Sequence, residues 1–193
     1  MATGENKVQF NLKNVHYAVL TALSPTPTWD TPVPVPGAVS LSLEQQGEIT
    51  KFYADGIVYY QSSSNNGYEG DLEMARFPEK MHQDIWGDTL SATDNVLVEN
   101  ANTQPNPFAL LFQIDGDVNN ALYCLYNCTA TRPNIEGETT NESKEPKTQT
   151  CTISAVPLPD GNVRANTTST TTEGVISAWF DSVYMPAAAG VGG

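Results

Sequence analysis

Side chains able to do chemistry are most regularly spaced in the stretch YEGDLEMARF, residues 68–77. Glu69, Asp71 and Glu73 alternate there with Tyr68, Gly70, Leu72 and Met74. In an extended strand successive side chains point to opposite faces, so three carboxylates would stand about 7 Å apart on one face. Inverting glycosidases need two carboxyls roughly 6.5–9.5 Å apart. Neighbours on a single strand point the same way, however, and would not flank a sugar from both sides. Three carboxylates in a line are also a poor cage for a metal ion. The row therefore reads as the solvated face of a half-buried sheet, or as an acidic surface with a task.

Other chemical groups give less. His16 lies in a predicted strand and His82 in a predicted helix, where a lone histidine is usually a hydrogen-bonded structural residue. No nucleophile elbow, zinc-protease, Walker or dinucleotide fingerprint occurs. The run DGDVNNALYCLY opens like a calcium loop, but it has Asn120 at the turn-glycine position and Tyr126 where a glutamate is needed. The three cysteines, Cys124, Cys128 and Cys151, lack metal-ligand spacing and read as buried thiols of a reducing compartment. Cys124 and Cys128 would share one strand face. Three sequons, at Asn127, Asn141 and Asn166, mean little without a secretory signal. The expectation is a protein that is not an enzyme and that needs no cofactor and no metal.

The elements that would position these residues are mostly strands. NVHYAVLTA (14–22) reads as the first, and AVSLSLE sets Val39, Leu41 and Leu43 against Ser40 and Ser42. ITKFYADGIVYY (49–60) brackets Asp55-Gly56, a strong two-residue hairpin signal. PEKMHQDIWG (78–87) has proline at its start, Glu79 in its first turn and Gly87 at its stop, with Met81, Ile85 and Trp86 as an apolar stripe: one flanking helix. Further strands are expected at 94–100, 107–117, 121–133, 148–158, 162–168 and 175–184. Between them run a five-proline segment at 24–37, which cannot donate a full ladder, and a polar acidic loop at 134–147. The class is mainly β, a sandwich or barrel with one helix at about 78–87 and extended arms or loops. Residues 1–184 form one domain and 185–193 a flexible tail.

A chain of 193 residues with 39% hydrophobic content suits such a domain. Its 22 acidic residues against 9 basic ones give a formal net charge of −13. That opposes stable binding to nucleic acid or anionic membranes, because phosphate contacts need Lys and Arg. No apolar run approaches the roughly 20 residues of a membrane helix, and the N-terminus lacks signal-peptide order, so a soluble protein of intracellular origin is expected.

Several short segments, taken in order, resemble a known family. NVHYAV is followed by TPVPVPGAVSLSLE, FYADGIVYY, NNGYEGDLEMA, PFALLFQIDGD, LYNCTATRPNIEGETTNE and LPDGNVRA. This succession, over about residues 6–165, is similar to the major tail proteins of long-tailed bacteriophages and prophages, mostly of Gram-positive hosts. The segment 166–193 matches least. The resemblance implies a tail-tube-type β-sandwich whose copies form hexameric rings. The rings stack into a tube in the virion tail, assembled in the host cytoplasm. It implies as partners the chain itself, the tape measure protein, the tail terminator and the distal tail or baseplate proteins. Double-stranded DNA would pass through without stable binding, and no membrane is involved. On this reading Glu69, Asp71 and Glu73 line the lumen. Contacts between rings would come from Pro25, Pro27, Trp29, Pro32 and Pro34, and from Glu136, Glu138 and Glu142. Two other readings stay open. One is a carbohydrate-binding β-sandwich with Tyr59, Tyr60 and Tyr68 as an aromatic platform. The other is a decoration or baseplate component that binds preformed tubes.

Overall fold

Alternation and turn chemistry between residues 38 and 74 build one long double strand. β4 (Ala38–Gln46) runs on into β5 (Ile49–Ala54), turns at Asp55-Gly56, and returns as β6 (Ile57–Ser63) and β7 (Gly67–Met74). The turn residues carry positive φ, 51° at Asp55 and 76° at Gly56, as a type I′ turn requires. Pairing persists across the bend between the halves, where Ser64 N donates to Glu48 O (3.0 Å) and Asn66 N to Gln46 O (2.8 Å). Residues 4–139 and 146–186 are described by the computed structural model.

The other strands complete a single folded-over sheet. Its first half is β1 (Gln9–Ala22), β10 (Phe108–Gly116) and β11 (Ala121–Ala130), antiparallel neighbours in that order. β2 (Thr28–Trp29) and β3 (Val33–Pro34) add to the outer edge of β1, and β13 (Arg164–Asn166) pairs with β11. The second half is β12 (Gln149–Ala155), β7 and β4. The two halves are joined where Cys128–Ala130 of β11 pair with Ile153–Ala155 of β12.

Burial follows the alternation. Phe108, Leu110 and Phe112 of β10 face Leu72, Met74, Cys151 and Ile153 from the second half, all buried. Leu72, Met74 and Ile153 are wholly removed from solvent, each worth roughly 1.5–3 kcal/mol relative to exposure. α1 (Glu79–Asp84) begins after Pro78 and closes one end with Met81, Ile85 and Trp86. Gly87 stops it at φ 68°. Two residue pairs, β8 (Thr89–Leu90) and β9 (Leu97–Val98), form a small separate ladder. The strand expected over 94–100 is thus reduced to Leu97–Val98. No helix of the described residues is long and apolar enough to cross a membrane.

Three expectations are corrected. The segment 175–184 is not a strand: it holds α2 (Glu173–Ser177) and turns. Val175, Ile176, Trp179, Phe180 and Val183 recur at helical spacing, and all pack on Ala18, Ala109, Leu111, Leu122, Cys124 and Tyr126. A second helix therefore joins the expected one, and the C-terminal segment forms a third layer over the back of β1–β10–β11. Cys124 and Cys128 do not share a face, since Cys124 lies under that C-terminal layer and Cys128 in the sandwich core. A register shift between Phe108↔Cys128 and Leu110↔Leu125 puts an extra residue into β11 and reverses its parity. The proline segment is not a free arm over its length. It lies along β1, with Asp30 N donating to Val19 O (2.9 Å) and Val35 N to Val15 O (2.7 Å).

Candidate functional site: a polar sheet face and an apolar hairpin

With the sandwich core on one side and the C-terminal layer on the back of β1–β10–β11, the outer face of β4–β7–β12 is left uncovered. Register fixes what it displays. Glu73 of β7 stands between Ser40 and Thr150, Asp71 between Ser42 and Thr152, and Glu69 between Glu44 and Ser154. Sequence alternation named the middle file of this grid. The flanking files were visible only as serine and threonine faces of two distant segments, whose register brings them alongside.

Hydroxyls hold the carboxylates. Ser40 Oγ donates to Glu73 Oε2 (2.8 Å), Thr148 Oγ1 to Glu73 Oε1 (2.6 Å), and Thr152 Oγ1 to Asp71 Oδ1 (2.9 Å). The bonds from Thr148 and then Ser40 hold the Glu73 carboxyl below its ordinary value, because they favour the charged form. Among the described residues no Lys or Arg pairs with Glu44, Glu69, Asp71 or Glu73. Glu44 and Glu69 face each other directly, a like-charge cross-strand pair that costs stability. The surface is therefore a charged grid of carboxylates and hydroxyls.

Beyond the bend, the double strand changes character. Ile49, Phe52, Tyr53, Ile57, Val58, Tyr59 and Tyr60 are all exposed, the four aromatics by 60%, 62%, 70% and 63% in that order. Phe52 lies opposite Tyr60 and Tyr53 opposite Val58, so apolar groups occupy both faces near the tip. A lone two-stranded hairpin is at best marginal in water, and an exposed patch of this kind marks an interaction surface. Sequence reading found the hairpin but not its exposure, because strand alternation says nothing about whether a third strand lies alongside.

Tyr68 does not join Tyr59 and Tyr60 in one platform. It packs against the sandwich core, half-buried beneath the Arg164 guanidinium, which lies 5.6 Å from its ring centroid. In the proline segment, Pro32 is buried and Pro27 and Trp29 are half-buried, with Trp29 Nε1 donating to Tyr126 O at 3.0 Å. Pro25 and Pro34 remain exposed. In the acidic loop, Glu136 accepts from Asn134 Nδ2 (2.6 Å) and Glu138 pairs with Lys147. Glu142 lies outside the described residues.

The remaining groups have structural work. His16 stacks on Phe180 with ring centroids 4.5 Å apart, and its Nδ1 meets Asn14 O at 2.9 Å. His82 Nδ1 lies 3.2 Å from Asp88, whose buried carboxylate also binds Arg132 at 2.5 Å. Oxygens of the calcium-like loop are taken: Lys7 N donates to Asp117 Oδ1 and Lys13 pairs with Asp115. All three cysteines are free and buried, and burial pushes the Cys128 and Cys151 thiols up to about 12, away from nucleophilic use. Among the described residues no group of three or more His, Cys, Asp or Glu is placed to hold a metal ion.

No protein-family model matches the chain. A comparison with curated proteins gives no match either. Among solved structures, the chain is similar to the tube-terminating cap of the anti-feeding prophage, seen by cryo-electron microscopy. The two are 12% identical with a TM-score of 0.43, over 86% of this chain and 96% of that one. At that level the likeness assigns neither function nor partner.

Proposed function

We propose that this chain is a structural subunit of a phage tail tube, which associates with its own copies in rings of six that stack into a conduit for genome delivery. The observation that carries self-assembly is the projecting hairpin β5–β6, whose seven exposed large apolar side chains are left uncovered by the described residues. The order of short segments resembling major tail proteins supplies the kind of assembly. The uncovered β4–β7–β12 face supports the conduit. Turned to a lumen, its carboxylates and hydroxyls would repel phosphates at short range, within a screening length of about 10 Å at 0.1 M salt. DNA would then slide along a wall that offers no lysine or arginine to hold it. The tape measure protein, tail terminator and baseplate proteins are the expected partners.

Negative-stain electron microscopy of the purified chain, dilute and concentrated, tests this. Rings or hollow tubes of uniform width are expected. A chain that stays monomeric even with tape measure and baseplate proteins added would refute it and turn attention to glycan binding.

A further inference from the structure

The two halves of the sheet part company at one end. β11 pairs with β12 only over Cys128–Ala130, while its Tyr123–Leu125 stretch pairs with β13 instead. β4 has β7 on one side and, among the described residues, no strand on the other. A groove of about 230 Å³ opens between them, lined by Leu41 and Leu43 of β4, Tyr68, Phe112, Ile114 and Arg164 among others. Leu41, Leu43, Tyr68 and Ile114 are only half-buried, unlike the sealed centre of the same core.

We propose that the aromatic tip of β5–β6 in one copy seats in this groove of a second copy. The inference rests on the self-assembly reading and adds where the contact is made. Three observations point to this occupant. First, size fits: about 150 Å³ of apolar cavity holds a benzene, so 230 Å³ takes an aromatic ring such as Tyr59 or Tyr60 with room to spare. Second, the chain's own tip stands away from the groove, its aromatics exposed. Tyr68 and Leu43 lie at the base of the hairpin, and the nine residues from Gln46 to Asp55 put the tip roughly 30 Å away at a strand rise of about 3.4 Å. Third, area and charge agree. Phe52 and Tyr60, which share one face of the hairpin, expose on the order of 200–300 Å² at 150–250 Å² per ring system, a sizeable share of the ~800 Å² one partner contributes to a standard interface. Lys51 is the hairpin's only cation, and it would approach the β4 edge where Glu44 and Glu69 face each other unpaired. Projection and groove sit on different parts of the surface, so the contact can be made head-to-tail, which closes into a ring or propagates.

The test is a mixed-copy disulfide. One full-length chain carries Tyr59→Cys and the other Leu43→Cys, with Ile114→Cys as a second groove position should Leu43→Cys fail to fold. The control partner is Ser42→Cys, next along β4 but on its opposite face. The buried native thiols do not compete. Assembly of the mixture followed by mild oxidation should give at least tenfold more heterodisulfide with a groove cysteine than with the control. Rings or tubes that form without crosslinks at either groove position, or with equal crosslinking to Ser42→Cys, would overturn the groove while leaving self-assembly standing. A wild-type chain that never assembles would remove both.

Discussion

The double substitution Phe52→Ser with Tyr60→Ser separates an assembly surface from a folding core. The two rings face each other across β5–β6 and are exposed by 60% and 63%. If assembly removes that exposure, each ring withdraws roughly 100–150 Å² from water, which at about 25 cal/mol/Å² sets a ceiling near 5–7 kcal/mol for the pair. Interface truncations realise only part of such a ceiling, about 2–4 kcal/mol. The concentration needed for assembly should therefore rise roughly 30- to 1,000-fold. Monomer stability should scarcely change, because the lost cross-strand contact is worth about 0.2–1 kcal/mol. At about 2–4 °C per kcal/mol for a chain of this size, the melting temperature should fall by no more than about 4 °C. Sedimentation velocity across a concentration series reads the first quantity and a thermal melt of dilute protein reads the second. Unchanged assembly would show that the hairpin is not an interface. A fall in melting temperature beyond about 8 °C would show that it packs within its own fold, and either result defeats the reasoning.

Charge reversal of the polar face, Glu69→Lys with Asp71→Lys and Glu73→Lys, should leave tubes intact but make them retain duplex DNA at low salt and slow genome delivery; normal delivery would refute the lumen assignment. Ser40→Ala with Thr148→Val should return the Glu73 carboxyl toward its ordinary value in an NMR titration. The sign follows from its lowered value in the folded chain: the wild-type contribution is full above the ordinary glutamate range and fades as pH falls through the depressed value, and the variant should lack that pH dependence. Arg132→Met removes the guanidinium from the Asp88 carboxylate, which is 5% exposed and would keep only His82 as a side-chain partner, and should cost about 3–5 kcal/mol by denaturant unfolding. Trp179→Ala should cost about 3–5 kcal/mol by cavity formation under the C-terminal layer, with new dye-binding apolar surface on the back of β1–β10–β11.

Period-two alternation made much of the fold legible. It placed Leu72 and Met74 inside and Glu69 and Asp71 outside, and it located the Asp55-Gly56 turn. It failed where a local irregularity intervenes. The extra residue in β11 sends Cys128 to the opposite side from Cys124, and no composition rule announces a bulge. Residues 175–184 failed for another reason. Valine, isoleucine and aromatic side chains suggested a strand, although their spacing fits a helix, and spacing was the better guide. The polar face was half legible: each of its three files was readable alone, but only long-range register sets Ser40, Glu73 and Thr150 side by side.

The division of surfaces bears on assembly. A sheet has two faces and two edges, each of which needs a reason to stay in water. Here β2 and β3 cover the edge of β1 from His16 to Ala22, the C-terminal layer covers the back of β1–β10–β11, and hydroxyls with carboxylates make the outer β4–β7–β12 face soluble. Among the described residues, the free edge of β4, the groove behind it and the apolar hairpin that extends from its end stay uncovered. An exposed strand edge beside an apolar ribbon is an aggregation hazard unless a specific partner occupies it. The like-charge pair Glu44–Glu69 sits at that edge, where it disfavours indiscriminate pairing with another acidic chain while leaving a place for Lys51. Assembly that fills the groove and the edge together would turn this hazard into a directed contact, and copies joined that way would present their acidic faces as one continuous wall.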